Sequence, residues 1–446
     1  GGFPMPNDFR CDLLLTGARY LSSDMAVVSG KAIAVKDGKI LDIVDQDKCA
    51  YQAETVLSGS RLLWMPGLVD GHLHTSQQLL RGRLLDEKPV IWKRVNVPFE
   101  SRLDEESSRL SAQLAAIEMI SCGTTGFVDA GGKYPEVYAG VYQAAGLRGR
   151  LSVMTNDNPF CPESLRAPSV PAAVDRLRAM KSALTGLLKP IYSVTTPTAV
   201  SEELLRAVFQ AAAEDGVPVE THMNEYASEV TDFLERYGER PFVWLEREGL
   251  LAAPMTAPHC IFLSQEEIGI MARRQVRAVH CPFSNCGKGV PPTPQLLAAG
   301  VPVGLGTDGS AHGGLDLFRE MRLFRGVMNV TRGVGTADSC IMPAETLLKM
   351  AAQGGAAALM EPGLGVIEQG APADLIAVDT GAPHLWPTQN PVHTLVESAS
   401  GADVRHSIVN GKLLMRDREL LTIDRERVRR EAEALFEKQP WLQSWK

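Results

Sequence analysis

The chain is poor in the features that mark several large classes of protein. Its eight cysteines are scattered over 446 residues without a C-x-x-C pair, so neither a disulfide framework nor a zinc finger is expected, and a reducing compartment is. There is no long basic run and the net charge is -8, which argues against nucleic acid and anionic membranes as partners. No apolar run approaches the roughly 18 residues that cross a bilayer, and the opening GGFPMPNDF has no basic-then-apolar leader pattern. Gly1 to Pro4 reads as a remnant ahead of the natural chain, and a cytoplasmic protein is expected. No Gly-rich phosphate fingerprint follows a candidate strand. Small-molecule chemistry is what these absences leave.

What is present is an ordinary globular composition, 45% hydrophobic and 22% charged, in a chain too long for one core. Residues 11 to 63 form short β-like runs divided by Gly and Asp turns, and the same texture returns after residue 362. The middle alternates short apolar strands with amphipathic helical stretches, the pattern of a parallel sheet covered by helices. The strand candidates are WMPGLVDGHLH, GTTGFVDA, GRLSVMT, PIYSVTT, VPVETHMNE, MTAPHC, VRAVHCP and VPVGLGTDG. Eight such units predict an α/β chain with a (β/α)8 TIM-like barrel at 67–361. A small β-sandwich domain built from both chain ends, 8–66 and 362–423, accompanies it, with a C-terminal helix at 424–438. An open doubly wound sheet is the alternative.

The scarce histidines are unevenly placed. Of nine, six lie in or just after candidate barrel strands, where such a barrel keeps its chemistry. In GLVDGHLHTS, His72 and His74 are two residues apart on a strand, so both rings project to one side. His222 and Glu225 in VETHMNE, His259 in TAPHC, His280 in AVHCPFSN and Asp308 in GLGTDGS occupy other strand ends. Three histidines and an aspartate with an open position make a catalytic metal set, and His72, His74, His222 and Asp308 supply it. A binuclear barrel hydrolase often uses a modified lysine ending the fourth strand; here that strand ends YSVTTPT and Lys189 lies at its other end. One divalent metal is expected.

Taken together, MPGLVDGHLH, LLRG, THMNE, PHC, VHCPFSN, GLGTDGS, PADLIAVD and IVNGKLL resemble the amidohydrolase superfamily. The similarity is to its deaminase and triazine-hydrolase branch, that of guanine, S-adenosylhomocysteine and 8-oxoguanine deaminases and atrazine chlorohydrolase, and it runs from about residue 11 to 438. It implies that His72, His74, His222 and Asp308 bind zinc or, second, iron. It implies Glu225 as proton shuttle, His259 as the histidine that orients the attacking water, and Asp308 as acceptor of that water's proton. Trp92 and Glu100 align with positions lining the substrate mouth. Thr195, His280 and His312 are expected beside the substrate, His280 within the HCPFSN turn that frames the pocket and His312 in SAHGG, a departure from the branch's Asn-rich sequence.

The activity implied is that of a hydrolase acting on C–N bonds other than peptide bonds: deamination of an amino-substituted purine, pterin or triazine by a metal-activated water. The alternatives are displacement of chloride or alkylamine from a triazine, deamination of an adenosine-type nucleoside, and, remotely, a non-catalytic scaffold. The branch's nucleoside-associated His after strand four and Arg after strand three are replaced by Thr195–Thr198 and Ser152–Met154. Higher kcat/KM on free heterocycles than on nucleosides is therefore expected, with Glu100 still able to meet a hydroxyl. A homo-oligomer is also expected.

Overall fold

A computed structural model describes residues 9–444; the reading of Gly1 to Pro4 lies outside the described residues. Five strands open the chain: β1 (Leu13–Leu21), β2 (Val27–Lys36), β3 (Lys39–Asp45), β4 (Thr55–Ser58) and β5 (Leu62–Pro66). β2 and β3 turn on Asp37 and Gly38, whose φ values of 51° and 77° give the two-residue hairpin that matches strand twist. Between β5 and β6 (Leu68–Leu73) the chain passes Thr125 so closely at Gly67 that a Cβ would stand 2.0 Å from its hydroxyl. The stretch WMPGLVDGHLH, expected as one strand, is thus divided there between two sheets.

Further along come β7 (Thr124–Asp129), β8 (Arg148–Leu151), β9 (Leu188–Pro190), β10 (Tyr192–Ser193), β11 (Val219–Glu220), β12 (Met255–Pro258), β13 (Arg277–His280) and β14 (Val303–Leu305). They form two parallel runs, β6-β7-β8-β9 and β10-β11-β12-β13-β14. β9 and β10 are one strand interrupted at Ile191, whose N–H turns back to the Leu151 carbonyl, so nine segments make the eight strands of a (β/α)8 barrel. Helices cover the outside because the chain starts and stops them where it must return. Asp104 caps Glu105–Ser121 through the Ser107 amide, and Glu202–Asp215 runs from the Ser201 cap to Gly216 in the left-handed region.

Among the described residues no regular ladder joins β14 to β6. The barrel is completed instead by the Asp308 N–H on the His72 carbonyl at 3.0 Å, and by the buried Asp70 carboxylate, which accepts from the Thr307 amide at 3.0 Å and hydroxyl at 2.6 Å. Gly306 permits this approach, since a Cβ there would lie 2.8 Å from the His72 carbonyl oxygen. The seam therefore passes through two of the residues expected in the metal site.

Four strands close the chain: β15 (Leu375–Asp379), β16 (Val404–Val409), β17 (Lys412–Arg416) and β18 (Glu419–Leu420). β15 pairs antiparallel with β5, so both chain ends share one nine-stranded sheet, ordered β18-β17-β16-β15-β5-β1-β2-β3 with β4 beside β1. One set of its side chains, including Leu15, Ile33, Trp64, Leu375 and Ile408, makes a core of its own. Another, including Ile376, Val378 and Val404, joins the core of the barrel. The buried Arg148 of β8 reaches Asp374 at 2.8 Å across that boundary. The last long helix, Arg425–Lys438, lays Val428, Ala432 and Leu435 inward and meets Glu105–Ser121, where Gln113 donates to Glu431 at 3.1 Å. Among the described residues no helix is long and apolar enough to cross a membrane.

Candidate active site

The C-terminal strand ends carry the polar residues. The His72 Nδ1–H donates to Glu220 Oε1 at 2.6 Å, and the His222 Nδ1–H to the Thr195 carbonyl at 2.6 Å. With those nitrogens committed, each Nε2 presents a lone pair inward, the way metal-binding imidazoles are oriented. His74 Nε2 and His222 Nε2 stand 3.2 Å apart, and Asp308 Oδ1 lies 3.2 Å from the Nε2 atoms of both His72 and His74. Four donors about 2.1 Å from a central ion in a tetrahedron would be roughly 3.4 Å from one another. These four residues each offer an atom within 4.8 Å of all the others, and the buried His72 Nε2 has no hydrogen-bond partner. The donor set fits a divalent metal. Burial, helped by the neighbouring histidines, pushes His222 down to about 4, which keeps the imidazole in its neutral, ligating form.

A second group adjoins the first: Glu225, His259 and Asp308. His259 Nε2 lies 3.6 Å from Glu225 Oε1, while its Nδ1–H donates to Asn285 Oδ1 at 2.9 Å. Burial pushes His259 down to about 3, so it too is neutral. His259 and Asp308 sit at φ 73° and 60°, left-handed conformations that non-glycine residues rarely hold and that concentrate at functional sites.

This end opens into a cavity of about 860 Å3 lined by Trp92, Glu100, Thr195 and His312 among others. Glu100 accepts from Ser76 at 2.7 Å and Gln77 at 2.8 Å through one oxygen, and burial raises its carboxyl. The His312 Nε2 is 3.6 Å from Asp308 Oδ2. His280 does not line the cavity. Wholly buried, it donates from Nδ1 to the His259 carbonyl at 2.9 Å, so it supports the His259 turn instead of meeting substrate. Ser152 is also turned away, bonded to Ser193 at 2.8 Å. Lys189 pairs with Glu361, away from this cluster.

Several polar groups of the site carried no signal in the linear pattern. Glu220 precedes His222 by two residues, so strand alternation places both on one side and exposes a carboxylate to His72. Ser284 and Lys288 stand beside Asp308 and Glu225: the Ser284 hydroxyl donates to Asp308 Oδ2 at 2.6 Å, and Lys288 Nζ is 2.5 Å from Glu225 Oε1. No spacing rule singles out a lysine three residues after Asn285. Burial works to raise the Glu225 carboxyl, but the Lys288 ammonium beside it more than offsets this and holds the group as a carboxylate.

Residues 63–414 match the model of the amidohydrolase family. A 5-methylthioadenosine/S-adenosylhomocysteine deaminase of Halobacterium salinarum is 36% identical over 430 residues, covering 94% of this chain and 96% of that one. A 5'-deoxyadenosine deaminase of Methanosarcina barkeri is 34% identical over 432 residues, covering 96% and 98%. The crystal structure of an adenosine deaminase from Xanthomonas campestris with bound zinc superposes with a TM-score of 0.88 at 28% identity, covering 98% of this chain and 99% of that one. The matched span holds both barrel runs and every residue of the His/Asp cluster, and on that ground the chain belongs to the amidohydrolase family.

Proposed function

We propose that this chain is a metal-dependent aminohydrolase that deaminates an amino-substituted nitrogen heterocycle, and that its preferred substrate is an adenine-type nucleoside. The observation that carries the reading is the convergence of His72, His74, His222 and Asp308 beside Glu225 and His259 at one end of a large cavity. His72, His74, His222 and Asp308 would hold one divalent ion, zinc foremost and iron second. When bound, that ion supplies the Lewis acidity that brings the pKa of a water towards neutrality.

The remaining work falls to the chain's own groups. Asp308 takes a proton from the attacking water, with His259 Nε2 free to orient that water by hydrogen bonding. Glu225 starts as a carboxylate, takes up a proton from the water of the cavity it lines, and gives it to the ring nitrogen next to the reacting carbon. Protonating that nitrogen withdraws electrons from the carbon as the C–O bond forms. Asp308 then passes the water's proton to the exocyclic amine, the C–N bond breaks and ammonia leaves; the added oxygen gives its second proton to Glu225 as it becomes the ring carbonyl, which replaces the proton Glu225 spent.

The nucleoside preference rests on the cavity and on the relatives. At about 860 Å3 the cavity lies near the top of the roughly 300–1,000 Å3 range of small-molecule sites, more than one planar ring fills. Leu84, Leu85, Ile91, Trp92 and Leu323 give it an apolar wall that suits a substituent beyond the ring, and Glu100 gives it an acceptor for hydroxyls. Two deaminases similar to it in sequence are named for 5-methylthioadenosine and S-adenosylhomocysteine, and for 5'-deoxyadenosine. These features outweigh the missing His and Arg, from which a free-base preference was expected. Ammonia release from matched pairs of base and nucleoside, adenine against adenosine and 5-methylthioadenosine, tests the reading. The nucleosides should show at least about tenfold higher kcat/KM, since an unfilled hydrogen-bonding group penalises the smaller ligand. A preference for the bases would reverse this assignment.

A further inference from the structure

Lys288 is an unusual group to bury in this site. Its side chain is 7% exposed, and an ammonium removed from water is costly unless it is paired. Its partners are on the catalytic side: Glu225 Oε1 at 2.5 Å, Ser284 Oγ at 2.7 Å, and Asp308 Oδ2 further off at 3.9 Å. The Ser284 hydroxyl accepts from Lys288 and donates to Asp308 Oδ2 at 2.6 Å. An unbroken chain of hydrogen bonds thus runs Glu225, Lys288, Ser284, Asp308, with the cation placed between two carboxylates that would otherwise repel. The same short turn sends Asn285 to His259, and the Lys288 N–H closes it on the Asn285 carbonyl at 2.8 Å.

We infer that Lys288 is a positioning residue: it braces the Glu225 carboxylate and, through Ser284, fixes its placement relative to Asp308. The role rests on the deamination reading, in which both carboxylates handle protons. An ammonium has three donors, and Glu225 and Ser284 use two of them. Lys288 acts by holding Glu225 in place, not by binding the substrate.

A double-mutant cycle on the metal-loaded enzyme, with Lys288→Met, Glu225→Gln and the pair combined, tests this. Lys288→Met should lower kcat by about 10- to 100-fold with little change in KM, because misplacing a catalytic group costs rate more than binding. In the Glu225→Gln background, Lys288→Met should cost no further rate. Thermal unfolding follows the bridge without reference to catalysis. Each single variant should melt about 5 °C lower, having stranded a buried charge, and the double variant should recover most of that loss. If Lys288→Met alone does not fold, comparison of the double variant with Glu225→Gln still decides the matter. Multiplicative losses in kcat, a change mainly in KM, or a double variant less stable than both singles would overturn the inference. Failure of the wild-type enzyme to release ammonia from any heterocycle would instead refute the proposed function, and the melting cycle would still report on the pair.

Discussion

The smallest working unit of this site is a side chain that aims another side chain. Glu220 holds the His72 Nδ1–H at 2.6 Å and so dictates which nitrogen of that ring faces the cluster. Removing the carboxylate in Glu220→Ala should weaken metal binding by about 10- to 100-fold, whereas Glu220→Gln, which keeps an acceptor, should lose much less. Competition against a chelator of known affinity measures both. Glu225→Gln has the opposite profile, because it leaves the four-residue donor set untouched but cannot carry a proton. Metal content should remain while turnover falls by at least about 100-fold, and near-normal turnover would mean that another group shuttles the proton. At this scale the sequence was informative where function requires a rare residue at a strand end. His72, His74, His222, Asp308, Glu225 and His259 could be singled out, and the structure gathers them. Glu220, Ser284 and Lys288 could not, since each is common in type and acquires meaning only from what stands opposite it. His280 misled for a related reason: a histidine at a strand end can as well turn its nitrogen to the next loop.

At the scale of elements, the metal cluster depends on how β14 meets β6. A Cβ on Gly355 would lie 2.3 Å from the Val69 carbonyl oxygen, and one on Gly306 would lie 2.8 Å from that of His72. Both contacts are with backbone, which cannot rotate away. Gly355→Ala should therefore push its helix off β6 and cost about 1–3 kcal/mol or more, as overpacking does, while Gly306→Ala should act mainly on the seam and lower metal content. Melting temperature and metal analysis, read together, separate the two. The elements themselves were unequally legible. Hairpins announced by Asp37–Gly38 and Asn410–Gly411 follow from residues that accept positive φ. The strand expected in VPVETHMNE is present, with Val219–Glu220 as its paired part, whereas the π-helical turn Trp92–Asn96 is not legible, because a π turn has the same composition as an α turn.

At the scale of the whole molecule, a sheet made from both chain ends is fastened to the barrel at the end away from the metal cluster. Arg148 begins β8, opposite its catalytic end, and meets the fully buried Asp374 through two hydrogen bonds, at 2.8 and 3.0 Å. Asp374→Asn would leave that guanidinium with only Glu361, 3.9 Å away. Breaking a buried pair costs about 3–5 kcal/mol, and the remaining carboxylate should bring the loss to or below the lower end of that range. Denaturant unfolding should register it while KM and metal content stay unchanged. The β-rich ends and the alternating middle revealed this division of the chain in advance. The contacts that join them, such as Arg148 with Asp374, lie 226 residues apart and left no local trace.

On the proposed function, deamination depends on one ion held by His72, His74, His222 and Asp308. The most direct test is titration of zinc into chelator-stripped protein while ammonia release from an adenosine-type nucleoside is followed. The rate should be near zero without metal, rise in proportion to zinc, and level off at one equivalent per chain. A rate independent of added metal, or one that continues to climb to two equivalents, would contradict the proposal.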